Sequence, residues 1–268
     1  MKWVWDPHDE NRYPLVDIIR REIKKHSNYI LLCVGGTGTG KSSHNISLAY
    51  ALDPTFTPCK ERVAFSIVDF IKICNSFEKK KGKGKVVMLE EVGTSASSKN
   101  WHSTDSKEFS NVLQTFRSQG LILLMSVPDD EMFLKDGRRL IKGLVVTSHL
   151  DMENKQVVVQ AFDVQHSARY HKTYYSYIRT DTLAGEKVHD MNRVPWVDAE
   201  KWGEFEVMME EYKQHVRERA IKRLEATDPV SKRVALCSKC NFNWRPRNSV
   251  GNIPPKCPKC SNMDTNWQ

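Results

Sequence analysis

The residues with the clearest chemical potential form one run, Gly35-Gly36-Thr37-Gly38-Thr39-Gly40-Lys41-Ser42, which fits G-x-x-x-x-G-K-[ST]. A glycine-rich loop of this spacing turns successive backbone N–H groups toward phosphate oxygens, and a following helix adds the partial positive charge of its N-terminus. Lys41 is the cation expected at the β- and γ-phosphates of a nucleoside triphosphate, and the Ser42 hydroxyl is a ligand expected for Mg²⁺. Gly35, Gly36, Thr37, Gly38, Thr39, Gly40, Lys41, Ser42 and Ser43 are therefore the expected nucleotide-binding set.

A second run, Lys85 to Glu91 (KVVMLEE), carries four apolar residues that end in two carboxylates. This is the form of a Walker B strand, with Glu90 on the metal side and Glu91 as the base that polarises the attacking water. Aspartate is the usual metal-side residue, so Glu90 is a departure that bears on Mg²⁺ affinity or turnover. The polar segment Gly93 to Asp105 that follows is placed to be a switch or substrate loop. A third group is cysteine. Cys237 and Cys240 form one C-x-x-C pair, Cys257 and Cys260 another, with sixteen residues between the pairs. That spacing is a tetrahedral Zn²⁺ signature, and four thiolates leave no open position, so the metal is structural. A segment this small would not fold without it. Between the pairs lie Phe242, Trp244, Arg245 and Arg247. They suit base stacking and phosphate contact; alternatively Trp244 shields the metal and the arginines meet a protein partner.

These groups need elements to hold them. Tyr29 to Val34 (YILLCV) reads as a buried strand and Ser42 to Leu52 as a helix with Ile46, Leu48, Ala49 and Leu52 available to pack. Pro14 to His26 reads as a preceding helix with a Leu15, Ile18, Ile19, Ile23 face. A short strand is expected near Arg62 to Phe65, then a helix opened by a Ser66–Asp69 capping box and carried through Phe70, Ile71, Cys74 and Phe77. Lys79 to Lys85 is a charged linker, either a solvated loop or a phosphate-backbone contact. Ser106 to Ser118 reads as a helix closed by Gly120, Leu121 to Val127 as a central strand, and Asp130 to Lys142 as another helix. Strands are expected at Leu144 to Thr147, Gln156 to Phe162 and Lys172 to Ile178, with a turn at Asp151 to Asn154. Asp198 to Ala226 reads as a long helix whose Trp202, Phe205, Met209, Tyr212 and Val216 stripe suggests packing.

The expected fold is α/β: a P-loop NTPase sheet (RecA-like, of the class with an added catalytic glutamate) flanked by helices, with a β-rich antiparallel edge, a long C-terminal helix and a small zinc ribbon. The expected domains are 1–190 for the ATPase, 191–230 for a helical extension and linker, and 231–268 for the ribbon. At 268 residues one sizeable domain and a small one fit. No apolar run approaches a membrane span and no signal peptide opens the chain, so a cytoplasmic protein is expected. The formal net charge of +8 suggests an anionic partner, most simply nucleic acid. Cys33, Cys59 and Cys74 read as reduced core cysteines.

Arg117 to Pro128 (RSQGLILLMSVP) resembles the FtsK/HerA group of DNA-pumping ATPases, whose pattern there is an arginine, a glycine, an apolar strand, Thr-Gln and proline. Zonular-occludens-toxin-like and archaeal viral packaging ATPases belong to the same broad group. The resemblance spans roughly residues 28 to 165 and implies ATP hydrolysis, DNA as partner and a ring, most plausibly hexameric. By position it makes Arg117 the arginine finger that enters a neighbour's site. The other reading of Arg117 is a cation complementing a helix C-terminus. Ser126 occupies the place of the threonine, and Val127 stands where the sensor glutamine belongs, which bears on how DNA state couples to hydrolysis. An oligomeric ATP-driven DNA motor is thus the expected function, with a nucleotide-dependent switch or assembly ATPase that moves no polymer as the alternative. A small-molecule kinase has no evident need of a zinc ribbon and a basic helix.

Overall fold

The computed structural model describes residues 13–25, 27–77, 82–90, 104–128, 139–170, 172–182, 185–197, 199–227, 234–244, 256–263 and 265–267. Glu91, residues 93–103, residues 129–138, Arg245 and Arg247 lie outside them.

The chain divides into two compact units, Met1–Met208 and Met209–Gln268. The first is built on a nine-stranded sheet. Strand β1 (Tyr29–Val34) is fully buried. Residues of β1 alternate between two helical layers. Ile30, Leu32 and Val34 join a core with Phe70, Ile73, Cys74, Phe109, Leu113 and Phe116. These come from helix α3 (Ile67–Ser76) and helix α4 (Thr104–Thr115) with the 3₁₀ turn that follows it. The other side of β1 meets helices α1 (Pro14–Lys24) and α2 (Lys41–Leu52).

Beside β1 runs β4 (Ile122–Val127), then β3 (Val86–Leu89), then β2 (Val63–Ala64), all parallel. The strand carrying Glu90 is thus separated from the P-loop strand by one strand. On the other flank β5 (Gly143–Asp151) is parallel to β1, and from there the sheet turns antiparallel through β6 (Gln156–Ser167), β7 (Lys172–Thr182) and β8 (Gly185–His189). The chain then folds back, and β9 (Asn192–Pro195) pairs with the start of β6. The core is a mixed α/β sheet, parallel through β2, β3, β4, β1 and β5 and antiparallel beyond. Strands β8 and β9 were not legible in the sequence, since their short runs lack sustained alternation.

Strands β5, β6 and β7 run on to Asp151, Ser167 and Thr182, past the expected Thr147, Phe162 and Ile178, and three helix ends differ as well. Helix α4 gives way to the 3₁₀ turn Phe116–Gln119 before Gly120 closes it at φ 69°. The tighter turn brings the chain into β4 without an α-helical C-cap. The helix expected to reach Lys142 does not: Arg139 and Leu140 lie in a turn, and the Lys142 amide already donates to the Ile30 carbonyl (2.9 Å). Sheet pairing takes the backbone donor that the helix would have needed. Helix α1 stops at Lys24, short of His26.

One polar cluster fixes the N-terminal edge of the sheet. Asp53, just past α2, pairs with Arg62, and its carboxylate also accepts from the Val86 amide (3.2 Å) and from the Thr55 hydroxyl (2.7 Å). Arg62 Nε donates to the Val86 carbonyl (2.8 Å). Burial alone would raise the Asp53 carboxyl; the bonds from Thr55 and Val86 and the Arg62 charge outweigh it and hold it low.

The second unit contains the rest of helix α5 (Ala199–Thr227) and a three-stranded sheet of β10 (Ala235–Cys237), β11 (Asn243–Trp244) and β12 (Thr265–Trp267). Among the described residues no helix is long and apolar enough to cross a membrane.

Candidate functional site

The P-loop occupies the turn from β1 into α2, at the C-terminal ends of the parallel strands. Gly40 precedes α2 with φ 97° and offers no side-chain cap, so the first-turn amides of α2 keep their donors for a ligand. A Cβ at Gly40 would stand 2.5 Å from Leu150 Cδ2 and 2.9 Å from Val157 Cγ1. Gly35, at φ 151°, is tighter still: a Cβ there would stand 2.2 Å from Thr147 Oγ1 and 2.9 Å from the Thr147 carbonyl oxygen. Thr147, on β5, braces the loop. Its Oγ1 lies 2.6 Å from Thr39 Oγ1 and 3.1 Å from the Val34 carbonyl oxygen, and Thr39 Oγ1 in turn donates to the Gly36 carbonyl (2.8 Å).

Lys41 Nζ donates to the carbonyls of Gly35 and Gly36, both at 2.8 Å. The ammonium therefore sits inside the loop that its backbone encircles. Ser42 Oγ donates to Glu90 Oε2 (2.9 Å), and Ser126 Oγ donates to the same oxygen (2.7 Å). Glu90 is fully buried at the end of β3, and its amide donates to the Ala64 carbonyl (2.9 Å). The register that aligns Leu89 with Met125 brings Glu90 level with Ser126. The pairing Ser42–Glu90–Ser126 therefore joins the helix after β1 to the ends of β3 and β4. Resemblance alone singled out Ser126 in the sequence; its contact with Glu90 needed the register.

These groups line one cavity of about 300 Å³ with Thr37, Gly38, Ser43, Pro128, Leu150 and Trp202. Trp202 was read from the sequence as part of a packing stripe, and nothing in the local pattern marks it otherwise. Leu150 was missed for a similar reason: it lies beyond a β-bulge between Thr147 and His149 that no periodicity shows.

Behind the loop lies a buried polar chain. Asn45 Oδ1 accepts from His44 Nδ1 (3.1 Å), leaving His44 Nε2 to accept from the Tyr13 hydroxyl (3.1 Å). Burial pulls the His44 imidazole down to about 4, so it is neutral at physiological pH. Burial, with the Glu90 charge added, raises the Cys33 thiol well above its ordinary range, so Cys33 is no nucleophile.

The backbone of Arg117 stands away from this cavity. Its backbone is in the 3₁₀ turn that leads into the N-terminal end of β4, whereas the P-loop lies past the C-terminal ends. Six residues of strand at about 3.3 Å each put roughly 20 Å of sheet between them.

In the second unit the four cysteine sulfurs lie within 4.8 Å of one another. Cys237 and Cys260 sulfurs are 3.5 Å apart, and Cys240 and Cys257 sulfurs 3.8 Å. Four sulfurs at about 2.3 Å from one Zn²⁺ stand about 3.8 Å from each other in a tetrahedron, so the donor set fits that ion. A disulfide would need about 2.05 Å. The two knuckles are built alike. The Asn241 amide donates to the Cys237 carbonyl (3.0 Å) and the Ser261 amide to the Cys257 carbonyl (2.9 Å), with Asn241 at φ 53° and Ser261 at φ 61°. Burial raises the Cys237 thiol, but the backbone N–H groups of Cys240 and Lys239 and the thiols of Cys260 and Cys240 outweigh it and lower it, while burial and the neighbouring thiols push the Cys240 thiol up, so these thiols titrate as one coupled group. Phe242 and Trp244 stack with ring centroids 6.3 Å apart and planes 13° apart, and Lys259 Nζ lies 5.8 Å from the Phe242 centroid.

No protein-family model and no curated protein matches the chain. Among solved structures, the N-terminal domain of zonular occludens toxin from Neisseria meningitidis is similar at 16% identity and TM-score 0.35, over 60% of this chain and 100% of that one. The VirB11 ATPase of the Brucella suis type IV secretion system is similar at 11% identity and TM-score 0.33, over 60% of this chain and 52% of that one. A KaiC-like protein from Pyrococcus horikoshii is similar at 16% identity and TM-score 0.25, over 60% of this chain and 89% of that one.

Proposed function

We propose that the chain binds and hydrolyses ATP as an oligomeric motor acting on DNA. The observation that carries the nucleotide reading is the convergence of Lys41, Ser42 and Glu90 in one cavity beneath an uncapped helix N-terminus. Lys41 donates to two neutral carbonyls of the loop, and phosphate oxygens would offer it stronger, charge-assisted bonds. Mg²⁺, held by Ser42 and Glu90, would neutralise phosphate charge. Glu91, the next residue in the chain, is assigned as the base that orients and deprotonates the attacking water. Ser126 holds the Glu90 carboxylate in position. The four cysteines Cys237, Cys240, Cys257 and Cys260, with sulfurs within 4.8 Å of one another, would hold Zn²⁺ as a structural ion.

DNA as partner rests on the net charge of +8, the stacked Phe242–Trp244 pair beside Lys259, and the resemblance to the FtsK/HerA group. The ring rests on Arg117. Because its turn lies across the sheet from its own P-loop, it suits a neighbouring subunit's site, where an arginine finger is worth about 10³ to 10⁵ in rate. Val127 favours a second reading. Where the resembling motors keep a glutamine, this chain has a buried valine that offers no amide to sense DNA. A switch or assembly ATPase that moves no polymer would need none.

The test is steady-state ATP hydrolysis with and without single- and double-stranded DNA, with Lys41→Ala and Glu91→Gln as controls. Stimulation that falls steeply with salt supports the motor, since phosphate contacts release counterions. Hydrolysis indifferent to DNA supports the switch. Mixing Arg117→Ala with Lys41→Ala should restore part of the lost activity if the finger acts between subunits.

A further inference from the structure

The cavity over the P-loop carries more than phosphate chemistry. Lys41, Ser42, Ser43, Thr37, Glu90 and Ser126 suit a triphosphate and its metal, whereas Leu150 and the apolar ring faces of Trp202 suit neither. Trp202 stands in the first turn of α5, and several contacts hold that turn in place. Strand β9, just before it, pairs with β6 from Gln156 to Val159. The Ser47 hydroxyl of α2 donates to the Pro195 carbonyl (2.9 Å). Lys201 Nζ lies 4.8 Å from the ring centroid of Tyr50, also on α2. Phe205, itself fully buried, backs the indole with centroids 5.6 Å apart. The helix that carries the P-loop lysine therefore also anchors the segment that carries Trp202. The indole is half-buried, with one side against Phe205 and the cavity beside it. Leu150 reaches the loop from β5, close enough to Gly40 that no Cβ would fit there.

We infer that Trp202 is the base-binding wall of the nucleotide site: the heteroaromatic ring of a nucleoside triphosphate stacks on its indole, with Leu150 as the apolar neighbour, while the triphosphate runs to Lys41 and Ser42. This rests on the nucleotide reading above. An indole held by Phe205 and by contacts to α2 loses little freedom on stacking, and a base brings a flat apolar face that water solvates poorly. The cavity volume lies at the lower end of the range for small-molecule sites.

The experiment is calorimetric titration of the full chain, in Mg²⁺, with ATP and separately with inorganic tripolyphosphate. Trp202→Ala, Trp202→Leu and Trp202→Phe are compared with the wild type, each checked for cooperative melting. Trp202→Leu keeps apolar bulk against Phe205 without the π-face. The wild type is expected to bind ATP more tightly than tripolyphosphate. Trp202→Ala and Trp202→Leu should lose about 5- to 150-fold in ATP affinity, the range of one base–aromatic stack, with tripolyphosphate affinity unchanged. Trp202→Phe should retain most of it. Unchanged ATP binding in Trp202→Leu and Trp202→Ala would overturn the inference and leave the P-loop reading standing. An equal loss of ATP and tripolyphosphate would also overturn it, by making Trp202 a scaffold residue. If the wild type binds neither probe, the nucleotide reading itself fails.

Discussion

Ser126→Ala offers the sharpest check on how Glu90 is held. Ser126 is buried at the end of β4, and its hydroxyl donates to Glu90 Oε2 at 2.7 Å, beside the 2.9 Å bond from Ser42. A hydrogen bond to a charged group contributes about 1.5–3 kcal/mol. Because Ser42 remains as a second donor, the loss should fall toward the lower end, about 1.5–2 kcal/mol. In a Glu90→Gln background the same hydroxyl meets a neutral acceptor worth about 1 kcal/mol or less, so the two substitutions should couple by roughly 1 kcal/mol. Urea unfolding of the wild type, both single variants and the double variant measures this directly. Hydrolysis supplies a second readout. With Glu90 less firmly oriented, Ser126→Ala should need more Mg²⁺ to reach half its maximal rate. If Ser126→Ala costs less than about 0.5 kcal/mol and adds to Glu90→Gln without coupling, Ser126 does not orient Glu90.

Other outcomes follow from the same geometry. The folded His44 imidazole titrates at about 4, below the unfolded value of 6.5, so the unfolded chain binds the extra proton as pH falls between them. Stability should drop by about 1.6 kcal/mol from pH 6.5 to 5, seen by urea unfolding, and a His44→Gln variant should show a flatter profile; equal slopes would reject the assignment. Gly35→Ala would drive a methyl into Thr147 and should prevent stable folding, whereas Gly38→Ala, with nothing within 4 Å of its Cβ, should cost only about 1–2 kcal/mol of left-handed strain; similar melting of both variants would argue against the brace. Metal analysis should find one zinc per chain, and Cys257→Ser should abolish it and unfold the ribbon while ATP binding survives. Zinc-free protein prepared without chelator would count against the Cys₄ site.

What the sequence determined by itself is what depends on neighbours along the chain. The P-loop, its flanking strand and helix, the VVML strand and the two C-x-x-C knuckles are local patterns, because phosphate cradles and metal knuckles are built from consecutive backbone and short spacings. Helix faces in α1, α3 and α4 were legible for the same reason, as was the burial of β1 and β4 as continuous apolar runs. The tertiary structure decided what depends on register and return paths. Glu90 meets Ser126 only because β4 inserts between β1 and β3 with Leu89 opposite Met125. Thr147 braces the loop only because β5 lies beside β1. The end expected for the helix before β5 failed because Lys142 gives its amide to Ile30 in the sheet. Trp202 reads as one more apolar residue in a helical stripe, and it becomes a wall of the P-loop cavity only when β9 folds back onto β6 and Ser47 ties Pro195 to α2. No spacing in the sequence encodes that return, since it brings together residues some 160 positions apart by packing rather than by pattern.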